Sequence, residues 1–374
     1  MELIFDTVFL CVLSVNLFEH PVKMRYTADK LSSFGIDYLF RMVGKKVSDM
    51  CTAATYNTRC HYFGRNLDLE YSYHEQVAVT PRNYPFQFRN VESVMKHPAM
   101  IGMAFVVDGF PLYYDAMNEK GLGMAGLNFP DNCDFKDPQE GKDNIASFEL
   151  IPYVLSLCST TAEAKALLSH VNITNEPFSD KLPTNPLHWM VADGKDVIVV
   201  EQTASGLHIY DDPVGVMTNN PTFDMQMNRL ADYRNLSVES ALPCTFAKGL
   251  DLHPYSRGMG GMGLPGDLSS ASRFVKVAFT RMNSLSDDSE SASISQFFHI
   301  LGSVEQQRGL CKLGEDKYEI TIYSSCCNLD LGIYYYTTYE NSQISAVDMH
   351  HENLDGDTVV TYDLIKGQQI YYQN

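Results

Sequence analysis

Cys51 follows Met50, and methionine before a small residue is the kind of start from which an initiator is removed. A cysteine freed in that way carries its own base. Its α-amine, with a pKa of about 7.7–8.0, is partly unprotonated at neutral pH and can take the thiol proton without a histidine. Taken alone, Cys51 reads as an inert buried thiol; the residue before it makes it a candidate nucleophile. Arg65-Asn66-Leu67-Asp68 places a cation and a carboxylate close together downstream. By themselves they read as a surface ion pair. Strand alternation also sends Arg65 and Asp68 to opposite faces, so a shared site requires a bulge or a strand end.

Two other patterns read as loops. Gly258-Met259-Gly260-Gly261-Met262-Gly263 satisfies GxGxxG, but no strand precedes it and no helix starts within it. His350-His351-Glu352 with Asp355 and Asp357 has metal-ligand chemistry, yet adjacent histidines in a strand point apart, which favours a solvated turn.

The elements that must position Cys51 are mostly strands. Thr52–Asn57 and Tyr62–Asp68 read as a hairpin across the polar break at residues 58–61. A second hairpin pairs His188–Val191 with Val197–Glu201 around Asp193-Gly194-Lys195. Leu207–Tyr210, Tyr318–Tyr323, Gly332–Thr338 and Ser345–Met349 continue the set, rich in β-branched and aromatic residues. Helical patterns cover Phe148–Cys158, Thr161–His170, Asp224–Tyr233, Ser272–Asn283 and Ser293–Ser303. In the fourth of these, Phe274, Val277, Ala278 and Met282 mark one apolar face. Helix pairs fall between strand groups, which predicts an α+β stack of packed layers.

With 374 residues and 45% hydrophobic content, the chain can bury a large core. Its formal net charge of −18 disfavours nucleic acid and anionic membranes and points to a small-molecule partner. The nine cysteines show no CxxC pair or regular spacing, as in a reducing compartment. Leu3–Phe18, the most apolar run, is interrupted by Asp6 and Asn16, and Glu2 and Asp6 spoil it as a signal peptide. Two sequons, at Asn172 and Asn235, read as chance occurrences.

Cys51-Thr52-Ala53, Phe63-Gly64-Arg65-Asn66-Leu67-Asp68, Thr80-Pro81-Arg82-Asn83-Tyr84-Pro85 and Met117-Asn118-Glu119-Lys120-Gly121 recur in one known family. So do Ala125-Gly126-Leu127-Asn128-Phe129-Pro130, Thr218-Asn219-Asn220-Pro221-Thr222-Phe223 and Ala271-Ser272-Arg273-Phe274. Over residues 51–374 the chain resembles the choloylglycine hydrolases, N-terminal nucleophile enzymes that include bile salt hydrolases and penicillin V acylases. The resemblance implies a four-layer αββα fold with two antiparallel sheets between helix layers. It implies hydrolysis of the amide of glycine- or taurine-conjugated bile salts without metal or organic cofactor, in a cytoplasmic bacterial homotetramer.

Carried over by position, Cys51 is the nucleophile, Arg65 favours its thiolate, and Asp68 holds the α-amine. Asn219, through its side-chain amide, and Asn128, through its backbone N–H, are oxyanion donors, and Arg273 supports the polar network. Leu67 and Phe129 would line the steroid pocket. Arg257, in Ser256-Arg257-Gly258, would face a taurine sulfonate. Asn128 points within the family to the bile salt hydrolases, because penicillin acylases often carry tyrosine there.

Residues 1–50 depart from the family pattern. They carry six acidic and six basic residues, so the whole net charge lies beyond them. Three origins compete: a propeptide removed by self-cleavage, a secretory segment disfavoured by its acidic start, or upstream sequence before a true start at Met50. The third is preferred, since Lys46-Val47 allows a purine-rich ribosome-binding sequence. A translated extension is expected to be poorly ordered. Without removal of Met50, the enzymatic alternative of a penicillin V acylase fails as well, and a bile-acid carrier or sensor remains.

Overall fold

The computed structural model describes residues 50–374; expectations for residues 1–49 lie outside them. Strands and helices are numbered along the chain.

One sheet has the order β12-β1-β2-β17-β18-β19. Its strands are β1 (Cys51–Asn57), β2 (His61–Leu69), β12 (Val216–Met217), β17 (Ile320–Asn328), β18 (Ile333–Thr338) and β19 (Asn341–Asp348). The other has the order β11-β10-β9-β6-β5-β4-β3-β20. It comprises β3 (Gln76–Thr80), β4 (Met100–Val107), β5 (Phe110–Asn118), β6 (Gly123–Asn128), β9 (Leu187–Ala192), β10 (Val197–Thr203), β11 (Gly206–Asp211) and β20 (Val360–Asp363). Every pairing within these two sheets is antiparallel. Three small pairs complete the set: β7 (Asp143–Ala146) with β8 (Val171–Thr174), β13 (Cys244–Ala247) with β14 (Leu250–Leu252), and β15 (Lys312–Gly314) with β16 (Lys317–Tyr318).

The period of two assigns side chains to layers. Along β10, Val199 joins the core between the sheets, whereas Ile198 and Val200 join the core beneath the second sheet. Along β9, Met190 and Ala192 face the first core, and Trp189 and Val191 the second. Helices α1 (Leu150–Leu157) and α2 (Thr161–Leu168) supply Leu150, Val154, Ala164 and Leu168 to the second core. Helices α4 (Ser270–Asn283) and α5 (Glu290–Gly302) pack Phe274, Val277, Phe297 and Ile300 on the first sheet. The result is the α+β stack with layers αββα. Both sheets are covered on both faces, which is why β17 is buried at all of its positions.

Helix α3 (Phe223–Leu230) is short and follows β12. Met282, expected on the apolar face of α4, lies in its last turn and is 58% exposed. The expected hairpins form, with Cys51 opposite Leu67 and Val197 opposite Ala192.

Candidate active site

Cys51 is the first residue of β1, and its side chain faces the space between the sheets. Arg65, two positions before Leu67 on the paired strand, shares that face and donates from Nη2 to Cys51 Sγ at 2.6 Å. Its Nη1 donates to the carbonyls of Gly126 (2.5 Å) and Tyr114 (3.2 Å) in the second sheet. Tyr114 is available because the β4–β5 ladder slips between Met103 and Ala104, leaving it out of the pairing.

Asp68 lies on the opposite face, as alternation requires, and both conditions for a shared site are present. Cys51 begins its strand, and the β2–β17 ladder shifts register between Thr321 and Tyr323, opposite Asp68 and Leu67. The Asp68 backbone N–H donates to the Met50 carbonyl at 3.1 Å. Its Oδ1 accepts from Thr321 Oγ1 at 2.6 Å. Its Oδ2 is buried with no hydrogen-bond donor among the described residues. Burial, countered by Arg273 and Arg65, pushes the Asp68 carboxyl up to about 6.

Arg273, from α4, ties the strand start to its surroundings. Nη1 donates to the Cys51 carbonyl (2.5 Å) and Thr52 Oγ1 (2.6 Å), and Nη2 donates to Asn219 Oδ1 (2.7 Å). The same Oδ1 accepts the Cys51 backbone N–H at 2.8 Å, while Asn219 Nδ2 donates to the Asn128 carbonyl at 2.7 Å. Asn128 ends β6, half buried. Thus Cys51, Arg65 with Asp68, Arg273, Asn219 and Asn128 converge from five separate parts of the chain. Burial pushes the Cys51 thiol up; Arg65 draws it back, and the charge of Asp68 adds to the rise. A thiol in that balance rests protonated at neutral pH and needs a base before it can attack.

The remaining expected residues are placed less directly. Leu67 pairs with Cys51 and is buried, and Phe129 is fully buried against the His188 ring. Arg257 is exposed in the arm that follows β14, with no hydrogen bond to the cysteine cluster among the described residues. Residues 258–263 form a short 3-10 turn at Met259–Gly261 between loops. His350 and His351 sit exposed in a similar turn, where His351 meets Asp348 at 3.5 Å.

Asp115 and Glu319, two buried acids that adjoin the cysteine cluster, escaped the sequence reading. Asp115 accepts from Tyr323 (2.5 Å), Tyr334 (2.7 Å) and Ser325 (3.0 Å), and Ser325 in turn accepts the Arg65 backbone N–H at 3.1 Å. It lies near the buried Arg65 guanidinium; burial pushes its carboxyl up and Arg65 draws it back. Glu319 accepts the Met50 backbone N–H, and burial with the nearby Asp68 pushes its carboxyl up to about 8. Asp115 stands among the apolar and aromatic residues of β5, and Glu319 immediately before the buried β17.

The four-layer fold defines the N-terminal nucleophile hydrolase class. Residues 51–362 match the linear amide C–N hydrolases of the choloylglycine hydrolase family; the chain belongs to that family and is an amide hydrolase. A bile salt hydrolase/transferase from Lactiplantibacillus plantarum is 55% identical over 87% of this chain and 100% of its own. A solved alanine-for-cysteine mutant of conjugated bile acid hydrolase from Clostridium perfringens is 40% identical, covers 87% of this chain and 100% of that one, and has a TM-score of 0.81. Penicillin V acylase from Agrobacterium tumefaciens shares the fold at 20% identity and a TM-score of 0.66, over 86% of this chain and 94% of its own.

Proposed function

We propose that the protein hydrolyses the amide bond of glycine- or taurine-conjugated bile salts, with Cys51 as its N-terminal nucleophile. The observation that carries this is the Cys51 thiol beside Arg65, at the head of a strand whose backbone nitrogen is held by Asn219. The active form begins at Cys51, residues 1–50 being absent from it. The freed α-amine takes the thiol proton, and the buried, unpartnered Asp68 Oδ2 is suited to receive an N–H of that amine. The sulfur attacks the amide carbonyl carbon, and the negative charge gathers on its oxygen. The Asn219 side-chain amide and Asn128 backbone N–H stabilise it, each such donor contributing on the order of 3 kcal/mol.

The ammonium of Cys51 then protonates the leaving nitrogen, and glycine or taurine departs. Water, deprotonated by the same amine, cleaves the thioester and releases the bile acid. Arg65 and Arg273 keep the cysteine oriented throughout. Leu67, beside Cys51, lies on the apolar side of the steroid site, Phe129 packs behind it against His188, and Arg257 meets the sulfonate.

The enzyme works in the cytoplasm as a homotetramer. The eight described cysteines are all free, in keeping with a reducing compartment. The arm carrying β13 and β14 exposes Leu242, Phe246, Leu250 and Tyr255, an apolar surface suited to another subunit. One observation favours a second reading: Met50 is held by Asp68 and Glu319, and with Met50 attached there is no amine. That form would bind bile acids without cleaving them.

The deciding experiment is the intact mass and N-terminal residue of protein from its native host, paired with turnover of a taurine conjugate and of penicillin V. A chain starting at Cys51 that releases taurine fits the hydrolase. A stable chain retaining Met50 and releasing none would install the carrier reading, and faster penicillin V cleavage the acylase.

A further inference from the structure

Behind Asn219 lies a small pocket of mixed polar and apolar lining that the chemistry above does not use. His188, Glu201, Thr218, Gln226 and Phe274 line it together with Asn219. Glu201 is 0% exposed and His188 1% exposed, and His188 Nδ1 lies 3.2 Å from Glu201 Oε1. A buried carboxylate is unfavourable unless its surroundings compensate, and here they do so only in part. Glu201 Oε2, His188 Nε2, Gln226 Oε1 and Asn220 Oδ1 are all buried without a hydrogen-bond partner among the described residues. Apolar side chains of similar volume would be at least as stable in such a place, so stability does not account for the pair.

Its connections do account for it. Glu201 Oε1 also accepts the Phe223 N–H at 3.0 Å, fixing the end of the segment that carries Asn219 and Asn220. The His188 ring lies flat on Phe129, with centroids 4.2 Å apart and planes 5° from parallel, and Phe129 immediately follows Asn128. The two loops are joined a second time by Asn220 Nδ2, which donates to the Pro130 carbonyl at 2.5 Å. Glu201 and His188 sit on adjacent strands, β10 and β9, of the second sheet.

We propose that Glu201 and His188 are positioning residues for the oxyanion site. They hold the Asn219 loop by a hydrogen bond and the Asn128 loop by ring stacking, and so set the separation of the two donors. This rests on the hydrolase reading above. Oxyanion donors act on the transition state and leave ground-state binding nearly untouched, so the signature is a loss confined to kcat.

The test uses the full chain with three variants, taurine-conjugate kinetics, and the rate at which iodoacetamide alkylates Cys51. Alkylation needs the thiolate but no oxyanion donor. Glu201→Leu is expected to lower kcat at least about thirtyfold, a large part of one donor's value, with KM and alkylation within about twofold. Glu201→Gln keeps an oxygen for the Phe223 N–H and should stay within about threefold of wild-type kcat. Should Glu201→Leu not fold, His188→Asn, which keeps a polar group near Nδ1 but removes the ring, should show the same loss in kcat alone. Unchanged kcat in the folded variants, or kcat and alkylation falling together, would overturn the proposal. A wild-type enzyme that releases no taurine would overturn the hydrolase reading and this inference with it, an outcome separate from any variant pattern.

Discussion

Cys51 and Asp68 make opposed demands on the same few ångströms. The thiol rests protonated because burial outweighs Arg65, so a side chain with a far less acidic proton has no route to an anion there. Cys51→Ser should therefore lose at least about a hundredfold in taurine release while folding normally, as read by steady-state kinetics and circular dichroism. In the proposed mechanism Asp68 is ionised to hold the amine; with Met50 attached, burial raises its carboxyl to about 6. Turnover of the form that begins at Cys51 should fall at acid pH as this carboxyl protonates, an acid limb visible in kcat. The effect on stability has the opposite sense. A carboxyl whose folded value exceeds the ordinary 3.8 favours the fold while protonated, and that contribution is lost as pH rises through about 6. The ionised form costs on the order of 3 kcal/mol. Asp68→Asn in the chain that keeps Met50 should melt several degrees higher than wild type at pH 8, with the gap narrowing below about 6 and closed near 3.8, while the form that begins at Cys51 loses its turnover. Cys51 and Asp68 were both legible in the sequence through the family motif; Asp115, Glu201 and Glu319 were not, since a lone acid in or next to a strand shows no partner until the fold supplies one.

Elements hold these residues through close backbone approach. A Cβ on Gly64, next to Arg65, would lie 2.0 Å from the Ser325 carbonyl oxygen and 2.6 Å from its carbon on β17. Both are backbone atoms, so nothing flexible can yield and the β2–β17 pair must separate. Gly64→Ala should destabilise the protein by more than about 3 kcal/mol, seen as a lower melting temperature with a matching fall in activity. The hairpins around Cys51 and around Asp193 were readable because alternation and turn residues coincide there. Strands β3 to β6 were not read, although β4, β5 and β6 lie within the second sheet. Gln76–Thr80 and Met100–Val107 are runs of mixed small and apolar residues buried on both faces, where the alternation of a half-exposed strand is lost.

The molecule as a whole repels its proposed substrate at long range. Its formal charge is −18, and a conjugated bile salt is an anion. Raising ionic strength from about 0.01 to 0.1 M shortens the screening length from about 30 to 10 Å. KM for a taurine conjugate below its micellar concentration should then fall roughly twofold or more, with kcat unchanged. Assembly is tested at the same scale. If the exposed arm joins subunits, Phe246→Glu, at a residue 73% exposed, should reduce the mass measured by light scattering from that of a tetramer without lowering the melting of the fold.

The sequence by itself determined the α+β layering and the hairpin that bears Cys51, and through the family resemblance the layer order and the five polar residues found around that cysteine. These follow from local periodicity and from motifs whose members keep their spacing along the chain. Only the tertiary structure decided how Arg65 and Asp68, on opposite faces of one strand, both reach Cys51: the cysteine begins its strand, and β17 shifts register beside them. It alone paired His188 with Glu201 behind Asn219, and set Asp115 beside Arg65, because those contacts join segments whose distance in sequence carries no record of their distance in space.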